Sequence, residues 1–163
     1  MSHEIHNIPP VYNDNSRVLI LGSFPSRKSR EDTFFYAHPR NRFWQIIAAI
    51  CGESTPITVS EKRALLLAHG IALWDVCAEC DIHASSDAAI KNVVPNDIPS
   101  LISKTKVTHI FTNGMTADNL YNKLVLPVTK IHATRLPSTS PANASQTAET
   151  LYQQWKMIKE FIL

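Results

Sequence analysis

Four short apolar runs punctuate the chain at RVLILG (17–22), IALWDV (71–76), VTHIFT (107–112) and VTKIHA (128–133). Each has strand length, and the stretches between them carry apolar residues at helical spacing. Phe43, Ile46, Ile47 and Ile50 run up to Gly52, and Ala64, Leu65, Leu67 and Ala68 run up to Gly70. Residues 97–104 read as a short helix. After N113-G114, the positions Ala117, Leu120, Tyr121 and Leu124 are helical again. In a hairpin that Asn-Gly pair would precede an alternating strand, so here it marks a strand-to-helix turn. N143-A-S-Q146 reads as the opening of a last helix with Leu151, Tyr152, Trp155, Ile158 and Ile162 as its apolar stripe. Residues 23–33 read as a polar loop. The order β-α-α-β-α-β-α-β-α predicts an α/β fold of three layers, α/β/α, around a central four-stranded parallel sheet with right-handed crossovers.

In such a sheet, ligands bind beyond the carboxyl ends of the strands. The uncommon residue clusters all follow strands: GSFPS (22–26), WDVCAEC (74–80), TNG (112–114) and TRLPSTSPAN (134–143). The topology therefore expects Gly22, Asn113 and Ser138 on one edge. With 163 residues, one domain spanning 1–163 is expected, preceded by a polar arm over 1–16. No repeat, low-complexity tract or linker interrupts it.

No window approaches the roughly 18 uninterrupted apolar residues of a membrane span, and the polar start MSHEIHNIPPVYNDNS carries neither an apolar signal core nor an Arg-rich transit pattern. A soluble, cytoplasmic protein is the expectation. Three cysteines, an odd number, argue against a disulfide framework. Cys77 and Cys80 in C-A-E-C, with His83 and Cys51, supply enough side chains for zinc. The second half of a Cys/His spacing pattern is missing, however, so buried thiols are the simpler reading and no metal is expected. The net charge of +2 is a weak pointer to nucleic acid. Local clustering says more: Arg27, Lys28, Arg30, Arg40 and Arg42 place five basic side chains within sixteen residues.

GSFPS (22–26), YAHPRNRFW (36–44), FTNG (111–114) and LPSTSPANA (136–144), in that order, resemble the uracil-DNA glycosylase superfamily, and within it the hypoxanthine-DNA (deoxyinosine) glycosylase branch. The resemblance runs from about residue 17 to the last helix. It implies a monofunctional enzyme that flips a deaminated base out of damaged DNA and hydrolyses its N-glycosidic bond without metal or cofactor, working as a monomer. Uracil or mismatch excision, or DNA binding with weak catalysis, are the alternatives. Mismatch-specific uracil glycosylases carry G-I-N-P-G in the first motif, with the asparagine on the attacking water. This chain has Phe24 there and no carboxylate in the segment.

The resemblance implies Asn41 as the catalytic group, its carbonyl accepting from water; its local alternative is a helix cap. Tyr36 is similar to the aromatic that stacks on the extruded base. Asn113 matches a position that reads the base edge, or else simply forms the turn before Gly114. Phe24 lines the same base site. Ser23, Ser26, Ser138, Thr139 and Ser140, with Arg40, Arg42 and Arg135, are implied on DNA phosphates. Arg40 or Arg42 can alternatively pin the loop internally. Asp75 and Asp81 lie near the same edge without an assigned role.

Overall fold

In a computed structural model that describes residues 2–82 and 90–163, four parallel strands form the central sheet in the order β3-β2-β6-β7. They are β2 (Val18–Gly22), β3 (Ile71–Asp75), β6 (His109–Asn113) and β7 (Ala133–Leu136). All five residues of β2 are buried, as expected of a central parallel strand covered on both faces. Val18 and Ile20 meet α2 (Phe43–Cys51), α3 (Val59–Ala68) and α7 (Ala148–Trp155). Leu19 and Leu21 meet α4 (Ile98–Ser103) and α5 (Met115–Leu124) on the other side. Burying each of these aliphatic side chains is worth about 1.5–3 kcal/mol over leaving it in water. The three-layer α/β/α reading holds.

Local boundaries depart from the sequence reading at four places. The polar loop 23–33 contains α1 (Arg27–Asp32), nucleated by Ser26, whose side chain accepts from Ser29 N–H at 3.1 Å. The fourth strand does not lie at 128–133. Pro127 enters the first turn of α6 (Leu126–Thr129) instead, and Lys130 ends that turn with φ 60°. The strand begins at Ala133. As the sheet's edge it buries only Leu136, so it has no need of a continuous apolar run. The last helix opens at Thr147, not at Asn143: Thr147 and Thr150 cap each other's backbone N–H reciprocally. The apolar stripe continues through a short 3₁₀ turn, Lys156–Glu160, that buries Ile158.

The fourth departure is a second sheet. β1 (Ser2–Ile5), β4 (Cys77–Ile82) and β5 (Lys91–Pro95) pair antiparallel in the order β1-β4-β5. The polar arm is therefore structured: Ser2 pairs with Ile82 and Ile5 with Glu79, while Ile8 and Val11 enter the main core. Cys77 and Cys80 lie buried within β4, and His83 lies outside the described residues. Among the described residues no helix is long and apolar enough to cross a membrane.

Candidate active site

The segments after β2, β3, β6 and β7 converge at the carboxyl edge of the main sheet around a cleft of about 460 Å³. Gly22, Asn113 and Ser138 all line it, so the expectation from topology is met. Two glycines permit the convergence. A side chain at Gly22 would overlap the Asp75 carboxylate and come within 3.0 Å of Tyr36 Oη. Gly114 adopts φ 96° with Ser138 Cβ 3.1 Å from where its own Cβ would stand.

Thr139 is the knot of the site. It is fully buried; its Oγ1 donates to Asn41 Oδ1 at 2.9 Å and accepts from Asn113 Nδ2 at 3.0 Å, while its backbone N–H donates to Asn113 Oδ1 at 3.0 Å. Thr139 was expected on phosphate, but its hydroxyl is spent on two asparagines. Asn41 Oδ1 also accepts from Phe43 N–H at 2.9 Å. Asn41 thereby satisfies the first N–H of α2 from one position before the N-cap, which is Arg42, with a consequence for the chemistry. Both lone pairs of the Asn41 carbonyl are occupied, so the expected acceptance from water is corrected: only the Nδ2 donors remain for a ligand.

Arg42 takes its internal alternative. Its guanidinium donates to the carbonyls of Ser140 at 2.8 Å, Asn143 at 3.1 Å and Gln146, and its backbone N–H donates to Thr139 O at 3.1 Å. It clamps the 138–146 loop onto the start of α2. Arg40 and Arg135 are exposed, and Arg40 N–H donates to His38 Nδ1 at 3.1 Å. Ser138 and Ser140 line the cleft, with their hydroxyls accepting from the N–H groups of Ser140 and Ala142, both at 3.1 Å. Ser23 is buried, and Ser26 is occupied with capping α1.

Tyr36 sits at φ 50°, a conformation a bulky residue rarely adopts without compensation. Its ring stacks on Phe43 with centroids 4.2 Å apart, and the residue lines the cleft. Phe24 is half-buried, its ring edge-on to His6 at 6.0 Å and covered by Arg30 at 5.4 Å.

The sequence reading placed Asp75 near this edge without a role and missed its pairing with His6. His6 Nε2 lies 2.8 Å from Asp75 Oδ2, both side chains being at least nine-tenths buried. An acidic residue closing an apolar strand was the available signal for Asp75. Nothing local marked His6, which reaches the site because its N–H donates to Ala78 O at 2.7 Å beyond the end of β1. Away from the cleft, burial and the nearby Glu53 push the Cys51 thiol up to about 11, the opposite of a reactive thiolate.

Comparison with known proteins agrees with this geometry. Residues 9–161 match the family model of the Uracil DNA glycosylase superfamily. The chain is 34% identical over 140 residues to a hypoxanthine DNA glycosylase of Methanosarcina acetivorans, covering 83% of this chain and 85% of that one. A Methanosarcina barkeri protein of the same name is 35% identical over 85 residues, covering 52% and 54% of the two chains. In three dimensions the chain is similar to the solution NMR structure of a candidate uracil DNA glycosylase from Methanosarcina acetivorans, with a TM-score of 0.82 and 29% identity over 94% of this chain and 95% of that one.

Proposed function

The chain belongs to the uracil-DNA glycosylase superfamily, and from that premise we propose that it releases hypoxanthine from DNA by hydrolysing the N-glycosidic bond, leaving an abasic site. The similarity to the Methanosarcina acetivorans hypoxanthine DNA glycosylase over most of both chains carries this reading. The cleft supports it, because enzymes that act on a base in duplex DNA extrude it into a pocket with a stacking surface and a polar edge. Tyr36 offers the surface. Asn113 and Asp75 offer the edge.

In the reaction C1′–N9 breaks with its electron pair leaving on the base, water oxygen bonds to C1′, and the water's proton passes to solvent. The sugar is oxocarbenium-like at the transition state and needs a well-placed water more than a strong base. Asn41 Nδ2–H donates to one lone pair of that water and leaves the other for C1′. Phe43 N–H and Thr139 O–H hold the amide so that it cannot turn over. Phe24, where relatives place a water-binding asparagine, contributes a wall and no polar contact. Ser138, Ser140, Arg40 and Arg135 meet the phosphates, and the protein acts as a monomer.

Single-turnover assays on labelled duplexes with one hypoxanthine, xanthine or uracil, followed by alkaline cleavage at abasic sites, test this. Hypoxanthine release faster than uracil release is expected. A protein that opens only the uracil duplex would return the activity to that named for the structural relative, and one that opens none would overturn the reading.

A further inference from the structure

Asp75 closes β3 and is 3% exposed, yet it lines the cleft. Its surroundings fix it on every side. Ile8 N–H donates to His6 Nδ1 at 3.2 Å, so that nitrogen carries no proton and Nε2–H donates to Asp75 Oδ2 at 2.8 Å. The His6 ring is held against Phe24 and Phe35, each 6.0 Å away between centroids. Asn96 Nδ2 donates to the carbonyls of Asp75 at 2.9 Å and Cys77 at 3.1 Å, anchoring the backbone. Gly22 leaves room for Asp75 Oδ1. Among the described residues that oxygen makes no hydrogen bond and is not sealed from solvent, which leaves it open to a ligand in the cleft it lines.

We infer that Asp75 is the specificity-determining group of the base site, Oδ1 accepting the ring N–H that deamination creates, with His6 as its positioning residue. This rests on the proposed release of hypoxanthine. Deamination of adenine replaces the 6-amino group by a carbonyl and turns N1 from an acceptor into an N–H donor. A carboxylate complements the second pattern and opposes the first, in which two lone pairs would meet. Asn113, expected to read this edge, is held in one orientation by Thr139, its Oδ1 accepting from Thr139 N–H and one Nδ2 proton donating to Thr139 Oγ1. Its remaining Nδ2–H suits O6. Acceptor and donor together complement the lactam edge, whereas a freely turning amide would tolerate either base.

Binding to duplexes whose target nucleotide carries a 2′-fluoroarabino sugar, which resists cleavage, separates recognition from bond breaking. The bases compared are hypoxanthine, 1-methylhypoxanthine (O6 without the N–H) and purine (neither group). The wild-type protein is expected to bind the hypoxanthine duplex at least about tenfold more tightly than either of the others, since a site built for a donor rejects an analogue that lacks it. In Asp75→Asn, His6 Nε2–H selects the amide oxygen and turns NH2 to the cleft, so purine with its bare N1 should overtake hypoxanthine. His6→Phe, which keeps a ring but no donor, should narrow the hypoxanthine-to-purine ratio. A folded Asp75→Asn variant that keeps the wild-type order would overturn the inference, as would wild-type protein that binds 1-methylhypoxanthine as tightly as hypoxanthine. The second comparison decides even if the variants do not fold. Failure of the wild-type protein to release hypoxanthine from an ordinary duplex would overturn the proposed reaction instead, independently of the binding order.

Discussion

The role proposed for Asn41 falls to the atom its neighbours leave over. With Oδ1 accepting from Phe43 N–H and Thr139 O–H, loss of the side chain removes both a strap and the donor proposed at the reacting centre. Asn41→Ala should lower single-turnover hypoxanthine release tenfold or more, about 1.4 kcal/mol of transition-state stabilisation. Asn41→Asp keeps an acceptor for both straps and loses the donor. It should fall as far as the alanine variant, and wild-type rates in Asn41→Asp would remove Nδ2 from the chemistry. The arginines separate by the same reasoning. Arg42 holds three carbonyls, and hydrogen bonds from a charged group are worth about 1.5–3 kcal/mol. Arg42→Ala should therefore lower the melting temperature and weaken DNA binding with an unchanged salt slope. Arg40→Ala and Arg135→Ala should each flatten the slope of log affinity against log salt by about one; parallel slopes for all three would show that neither exposed arginine meets phosphate. The motif around Asn41 was legible in the chain. Its orientation was not, because the partner that sets it lies 98 residues away.

At the scale of elements, the apolar periodicities found the central strands and most helices, with ends shifted by a residue or a turn. α4 falls within the expected 97–104, capped by Asp97, which accepts from Ser100 N–H at 3.1 Å. The last helix was placed one turn early because N143-A-S-Q146 imitates a cap, whereas Asn143 Nδ2 instead donates to Ser138 O at 3.0 Å within the loop. Thr147→Ala should thus cost about 1 kcal/mol of stability, read as a shift in the urea midpoint, and Asn143→Ala should leave the cap intact while loosening the 138–146 loop. If Asn143→Ala moves the midpoint more and Thr147→Ala not at all, the cap has been misplaced. Val128 and Ile131 suggested a strand by composition. Yet Val128 is 66% exposed, and Tyr121 Oη ties the turn down by donating to Ile131 O at 2.6 Å. An apolar residue reveals a face only if that face is covered.

For the whole molecule, the amino-terminal arm joins the second sheet to the candidate active site, since β1 pairs with β4 and His6 follows directly. Deleting residues 2–8 should destabilise the fold by at least about 1.5 kcal/mol from the buried Ile8 alone, and should also abolish base discrimination. A truncated protein with an unaltered urea midpoint would mean that the arm is not part of the folded unit. The sequence by itself determined the parallel sheet, the helices on both its faces, the edge at which the turns after the strands gather and the family, because periodicity, turn chemistry and ordered motifs are short-range patterns. Only the tertiary structure decided that the Asn41 carbonyl is occupied, that Arg42 is a clamp, that Thr139 ties two amides together and that His6 meets Asp75 across 69 residues. Which atoms of a side chain stay available is set by the hydrogen bonds already made, and these join segments whose proximity exists only after the core has closed.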